Sequence, residues 1–482
     1  MKPETNDNMT SEMNHSEQTP LGGEKGKQRE ASEKIAMKPT RLHLLRFAFP
    51  TIISMMIMST FGIVDGVFVS RLIDPFALSA VGLIWPFMSF VMAIGFMLGV
   101  GGNALIAKKI GEGREREGRQ NFSLIVIVAF FASIVVSMVG FFAPDFIMNI
   151  LGVDDFMRPM AWEYMEPFIF FLPAAVLGMV FQQFLITVGK AHYSAVMSLV
   201  SGLTSAGLNY VFIYQMDMGL RGAAFATSIG FTLPAVVGLV YFTFARSGSL
   251  YFVRPTLDFR ALGKSCVNGA SEMVVMLANS ITAVMMNNIL MDIDGGGPHA
   301  VAAVAIMFAG MGIFGSLFFG FGSGVAPIIS YNFGRGDKDN LRRAFKNCLM
   351  LIGALAATAI GLAYLSVDFL IGVYDVPPST PIYELARNGY LIFLAGFMFM
   401  GFNAFGSMFF TALNNGVVSS IMSLFNAFIF FIIALFSLSA IFGINGVWWA
   451  VPAAEMMMIF VTVSVFIGMR KRYGYAGRTQ AV

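Results

Sequence analysis

Ala77-Leu-Ser-Ala-Val-Gly-Leu83, Gly99-Val-Gly-Gly102 and Ile110-Gly-Glu-Gly-Arg114, leading on to Arg119-Gln-Asn-Phe122, make one stretch of this chain. Ala300-Val-Ala-Ala-Val-Ala-Ile306, Gly322-Ser-Gly-Val325 and Phe333-Gly-Arg-Gly-Asp337, leading on to Arg342-Arg-Ala-Phe345, make a second. One constant offset aligns Ala77 with Ala300, Gly99 with Gly322, Gly111 with Gly334, Gly113 with Gly336, Arg119 with Arg342 and Phe122 with Phe345. In each copy a long apolar run ends in a charged Gly-x-Gly turn, and a second apolar run follows. Two unrelated hairpins with similar turns would share a glycine pair, not an ungapped register. The stretch therefore reads as a duplicated half, a recurrent plan for secondary transporters.

Outside that stretch the composition points the same way. The chain is 57% hydrophobic and 12% charged, with a mean hydropathy of +0.73. Soluble domains carry about 25% charged residues, so an ordinary soluble protein is excluded. Fifty Phe and 35 Met supply bulky, adaptable apolar surface. Cys266 and Cys348 are the only cysteines, both expected near helix ends on one side, so no disulfide framework is expected.

Residues 1–40 are polar and read as a disordered tail, without the apolar segment of a secretory signal. Runs long enough for a bilayer, about 20 residues each, then follow near 42–69, 78–107, 121–142, 162–186, 193–214, 221–245, 264–290, 300–331, 343–366, 383–412, 418–441 and 445–469. The predicted fold is an all-α membrane protein, with twelve transmembrane helices in two pseudo-symmetric six-helix bundles. The bundles cover 41–245 and 264–469, joined by a charged linker at 246–263 and followed by a tail at 470–482. Six spans per half make the repeats parallel, related by an axis along the membrane normal.

Basic residues set the orientation. Of 31 Lys and Arg, only Arg71, Arg158, Arg221 and Arg387 fall in the loops of one side; Arg46 lies in the first span, and the rest lie on the other side with both termini. By the positive-inside rule both termini are expected in the cytoplasm, with the chain in the inner cell membrane.

The Gly-x-Gly turns do not suggest nucleotide binding. No Lys-Ser/Thr pair follows Gly113 or Gly336, and no strand–helix unit is expected around them. Neither metal-ligand spacing nor a nucleophile–base set is evident. The expectation is no enzyme, no cofactor, no nucleotide and no nucleic acid partner. The drive for transport then comes from an ion gradient or from the substrate's own gradient.

Assembled in order, several local strings make the chain similar to the MATE family, the multidrug and toxic compound extrusion transporters, over about residues 41–470. Pro50 opens the first span, and Ile63-Val-Asp-Gly-Val-Phe-Val69 closes it. Asn209-Tyr-Val-Phe-Ile-Tyr214 ends the fifth span and precedes Gly219-Leu-Arg-Gly-Ala-Ala-Phe-Ala-Thr227. Asn268-Gly-Ala-Ser-Glu272 opens the seventh, and Ala326-Pro-Ile-Ile-Ser-Tyr-Asn-Phe-Gly334 ends the eighth. The prokaryotic branch is the nearest likeness. The resemblance implies a central cavity that faces each side in turn. It also implies export of bulky organic cations and amphipathic drugs in exchange for H⁺ or Na⁺.

Three acidic residues lie well inside the spans: Asp65, Glu272 and Glu455. An ionised carboxylate at a helix centre costs about 2.5–3.5 kcal/mol on insertion scales, so each is a candidate functional group. By resemblance Asp65 is the family's ion-coupling aspartate of the first helix, and Pro50 is its hinge. The register fixed at Gly222 places Ser205 and Asn209 on the family's Asn-x-x-x-Asp pair, so the second carboxylate is absent here. That departure favours H⁺ over Na⁺. Asp65 and Asn209 should be level to within about one turn at 1.5 Å per residue. Glu272, Met276, Asn279 and Asn287 form a stripe on the seventh span, a candidate substrate surface. In some branches a carboxylate on this helix serves coupling or substrate binding; Glu272 and Asn279 both fit that position. Glu455 matches no family string. The rival reading, a lipid or lipid-linked oligosaccharide flippase, requires a basic cavity for phosphate, whereas only Arg46 lies within a span. A membrane-embedded enzyme and a passive channel each lack a supporting motif.

Overall fold

The computed structural model describes residues 37–73, 75–153, 155–244, 249–374 and 376–476. Among them are twelve helices long and apolar enough to cross a membrane, and no strand. We number the spanning helices α1 (Arg41–Leu72), α2 (Pro75–Gly111), α3 (Glu115–Phe142), α4 (Arg158–Thr187), α5 (Ala191–Gln215), α6 (Gly219–Phe244), α7 (Phe259–Asp292), α8 (Pro298–Arg335), α9 (Lys338–Val373), α10 (Pro381–Ala412), α11 (Gly416–Phe442) and α12 (Ile444–Tyr473). The expected fold class is thus observed. Both α5 and α11 contain one π-helical turn, Tyr210–Gln215 and Phe425–Phe430.

Local chemistry sets the helix ends. The side chains of Asp258, Asp337 and Thr380 accept hydrogen bonds from the backbone N–H of Ala261, Asn340 and Tyr383, capping α7, α9 and α10. Gly336 closes α8 at φ 73°, and Gly113 follows α2 at φ 77°. Both second glycines of the Gly-x-Gly turns thus occupy the left-handed region that favours glycine.

Two expected boundaries change, and one short helix is added. Residues 259–263, assigned to the linker, form the first turns of α7, because Asp258 caps them. Residues 470–473, assigned to the tail, continue α12, where Arg470, Lys471 and Arg472 complement the negative end of the helix dipole. A seven-residue helix, Pro144–Ile150, follows α3. Residues 1–36, 246–248 and 477–482 of the expected tails and linker lie outside the described residues.

The halves are packed by exchange. One core gathers side chains of α2 to α6, and the other gathers α7 to α12. Leu44, Ala48 and Ile52 of α1 nevertheless belong to the second core. Reciprocally, Leu262 and Cys266 of α7 pack against the first. A third cluster joins the halves: Met55, Phe96, Val100 and Met179, with Met58, Met92, Phe231, Met276 and Phe319 around them.

Glycines make the exchange possible. A Cβ on Gly101 would overlap the Ser265 carbonyl, and one on Gly269 would overlap that of Met97. The symmetry-related pair behaves alike: a Cβ on Gly324 would approach Ala48 Cα to 2.8 Å, and one on Gly320 would approach Ile52 Cα to 2.6 Å. In the Gly-x-Gly turns, Gly111 abuts the backbone of Tyr331, and Gly334 abuts that of Lys108. Those four residues obey the offset of the repeat, so the pseudo-two-fold axis passes between the two turns. The tight contacts lie towards the end that carries the linker and the basic turns, here called the basic end.

Candidate functional site

The site begins in the seam between α1 and α5. Ser54 and Ser198 share a hydrogen bond at 2.6 Å, both hydroxyls buried. One turn or so along, the ring of Phe61 lies over Gly202, where any Cβ would overlap it. This flat contact lets the two helices run close together and carries Asp65 to the level of Ser205 and Asn209. Asn209 Nδ2 donates to Asp65 Oδ1 at 2.8 Å, and Ser205 Oγ donates to the same oxygen at 3.2 Å. Thr227 Oγ1, on α6, donates to Asp65 Oδ2 at 3.2 Å. Asp65 is half-buried; Ser205, Asn209 and Thr227 are buried.

Three neutral donors from two helices therefore converge on one carboxylate. Among the described residues no Lys, Arg or His forms an ion pair with Asp65. Asn209 Oδ1 is buried with no hydrogen-bond partner among the described residues. Asn209 directly precedes the π-helical turn of α5, a distortion that recurs at functional positions. Pro50 lies inside α1, fifteen residues before Asp65, and leaves the Arg46 carbonyl without its usual helical donor. It falls between Ala48 and Ile52, both anchored in the second core. The helix thus has its base fixed in one half and its carboxylate bound in the other.

The stripe on α7 passes through three environments. Glu272 is buried, with the Ser271 hydroxyl beside its carboxylate, just beyond the Gly269–Met97 contact. Met276 lies in the shared methionine cluster. Asn279 is exposed and Asn287 half-buried. On α2, Phe96 is buried whereas Phe90 and Trp85 are exposed. The two helices thus meet tightly near the basic end, while Trp85, Phe90 and Asn279 further along them are exposed. Glu272 and Asp65 belong to separate clusters and share no hydrogen bond.

Sequence reasoning passed over two features. Thr227 stood within a quoted string but received no role; its signal was a hydroxyl on the sixth span close behind the Gly222 anchor. Gln183 was not singled out, yet its Oε1 accepts from Ser323 Oγ at 3.0 Å, a buried hydrogen bond between the halves. Among the described residues no three His, Cys, Asp or Glu side chains converge as metal ligands.

Twelve spans, two exchanged bundles and polar groups buried between the helices are the features of a membrane transporter of the two-bundle, internally repeated class. The MatE family model matches residues 50–211 and 272–436, and the chain belongs to that family. It is similar to the multidrug export protein MepA of Staphylococcus saprophyticus, 23% identical over 437 residues, covering 89% of this chain and 94% of that protein. MepA of Staphylococcus aureus strain NCTC 8325 is 23% identical over 441 residues, with the same coverage. Among solved structures, a multidrug resistance MATE transporter in an outward-facing conformation superposes with a TM-score of 0.85 at 18% identity, over 92% of this chain and 98% of that one. A MATE in the straight conformation gives 0.84, with the same identity and coverage. A transporter of the same superfamily from Pyrococcus furiosus gives 0.83; its description says that a reversed pocket polarity suggests a different function.

Proposed function

We propose that this chain exports organic cations and amphipathic drugs by alternating access, as an antiporter driven by an inward proton gradient. The observation that carries the reading is the Asp65 carboxylate, held by the neutral donors Ser205, Asn209 and Thr227 and, among the described residues, paired with no cation. Ionised, it accepts all three hydrogen bonds and ties the far part of α1 to α5 and α6. Protonated on Oδ2, it donates instead of accepting there, so the Thr227 hydroxyl has to reverse its role, and the charge that strengthened the other two hydrogen bonds is gone. That loosens α1, with Pro50 supplying a bending point. Substrate held against Met276, Asn279 and Asn287, in a cleft between the halves, would feel the change. H⁺ is preferred over Na⁺ because Asn209 stands where the family pair has its second aspartate, leaving one carboxylate to balance a metal ion's charge.

The orientation belongs to the same reading: a cytoplasmic-membrane protein with the basic end and both termini inside, and the cleft facing outward. The flippase reading expects basic residues in the cleft; Arg46, the one Arg or Lys predicted within a span, lies near the basic end of α1. The deciding experiment is transport of a fluorescent organic cation in proteoliposomes, with H⁺ and Na⁺ gradients imposed separately. Drug movement driven by Na⁺ alone would overturn the proton assignment, and movement with neither gradient would overturn antiport.

A further inference from the structure

Glu455 is the buried carboxylate for which the reading above has no use. It lies in α12 and is 7% exposed. Asn403 Nδ2, from α10, donates to its Oε2 at 2.7 Å and to its backbone carbonyl at 2.9 Å. Asn426 Nδ2, from α11, donates to Oε1 at 3.3 Å. The spans packed against α12 are α10, α11 and, at few points, α7. The groups that α10 and α11 turn to Glu455 are these two neutral amides. Glu272, the acidic residue buried on α7, is not among its hydrogen-bond partners, and among the described residues no Lys, Arg or His forms an ion pair with it.

The two amides are held differently. Asn403 Oδ1 accepts from Thr462 Oγ1 at 2.7 Å, which fixes the amide with its N–H towards Oε2. Asn426 Oδ1 is buried with no partner among the described residues, so no second hydrogen bond seen there resists a half-turn of that amide. In one orientation Asn426 donates to an ionised Oε1; in the other its oxygen accepts from a protonated one. Oε2 keeps the same acceptor role in both states. Asn426 also sits on the π-helical turn Phe425–Phe430. The same elements occur around Asp65: a carboxylate without a cation, an amide beside a π-helical turn, and a buried amide oxygen without a partner.

We propose that Glu455, clamped by Asn403 and switched by Asn426, is a second proton-binding site, in the second half of the chain, and that the proton is taken from water onto Oε1. The proposal rests on the reading of this chain as proton-coupled. It gives each half its own carboxylate, one per bundle, so that a full cycle can carry two protons.

The test is pH-difference infrared spectroscopy of the purified full-length protein in lipid nanodiscs, in a Glu272→Gln background so that only two mid-span carboxyls remain. Two pH-dependent carboxyl signals are expected. Asp65→Asn should remove one, Glu455→Gln the other, and Asn426→Ala should shift the midpoint of the Glu455 signal by about one pH unit, the size of one lost charge-assisted hydrogen bond. If the signal left in the Asp65→Asn protein is absent, or survives Glu455→Gln, the proposal is wrong. Should Glu455→Gln fail to fold, Asn426→Ala decides: an unmoved second signal overturns the assignment. In proteoliposomes Glu455→Gln should lower the H⁺-to-drug ratio at static head by one while leaving transport coupled; an unchanged ratio counts against it. Loss of coupling in Asp65→Asn tests the underlying reading separately, because the Glu455 signal is scored by spectrum and not by transport.

Discussion

Gly111 lies so close to Tyr331 that a single added carbon would overlap the tyrosine's carbonyl oxygen. The repeat converts this contact into the one between Gly334 and Lys108. The first glycine of each Gly-x-Gly turn is therefore the place where one half touches the other, while the second turns the chain. Lys108, placed over the ring of Phe333 at 5.1 Å, adds a cation–π contact across the same junction. Backbone contacts thus hold the two halves together at the basic end in this conformation, and the proposed alternating access requires them to part.

Gly111→Val and Gly334→Val should each force that seal open. Overpacking a close contact costs about 1–3 kcal/mol, enough to shift a two-state balance by roughly 5- to 150-fold. Spin labels placed across the basic end should show a longer distance in each variant, and drug transport should fall. Unchanged distances would mean that the halves do not meet at these glycines in a bilayer.

Much of this was readable in advance because a bilayer imposes its own grammar. Twelve apolar runs could only be helices, since every backbone group in lipid must be satisfied within its own segment. The offset between Gly111 and Gly334 foretold a pseudo-two-fold relation. The proximity of Asp65 and Asn209 followed from counting residues along two helices of known rise. What could not be read was which helix touches which. Nothing in the residues around Leu44 or Cys266 says that each packs on the opposite half, and the partners of Glu455 come from α10 and α11, tens of residues away in the chain. Neither π-helical turn has a propensity signature, because each is a response to packing.

Orientation can be checked with single cysteines after replacing Cys266 and Cys348. Ser379, an exposed residue between α9 and α10, should react as cysteine with an impermeant maleimide in intact cells. Ser11→Cys should react only after lysis. Labelling of Ser11→Cys in intact cells would invert the topology and, with it, the direction of transport.

Glu272 bears on selectivity. It is buried beside the shared methionine cluster, on the face of α7 that leads to Asn279. A negative charge there favours cationic over neutral ligands. Glu272→Gln should therefore weaken export of a permanently charged cation more than that of a neutral drug, by about tenfold if the lost attraction is about 1.4 kcal/mol. Equal losses for both drugs would make Glu272 a packing residue.

Asp65→Asn is the sharpest test of coupling. The substitution keeps the size of the side chain and can keep the contacts to Ser205 Oγ and Asn209 Nδ2 through its Oδ1. It removes the titrating charge and replaces Oδ2 by an N–H donor, towards which the Thr227 hydroxyl can turn to accept. If α1 responds to that charge, the variant should bind drug with near-normal affinity but fail to pump it when the outside is made acid. A structural role predicts the reverse, with folding or binding affected and pH dependence intact. The gradient has a sign as well: acid outside should drive export, and acid inside should slow it. Thr227→Val gives an independent check, because it removes the donor to Oδ2 without touching the titrating group. That variant should still pump, with its pH profile displaced towards alkaline values, since one hydrogen bond to the ionised carboxylate is gone. A wild-type profile for both variants would move the coupling site away from Asp65.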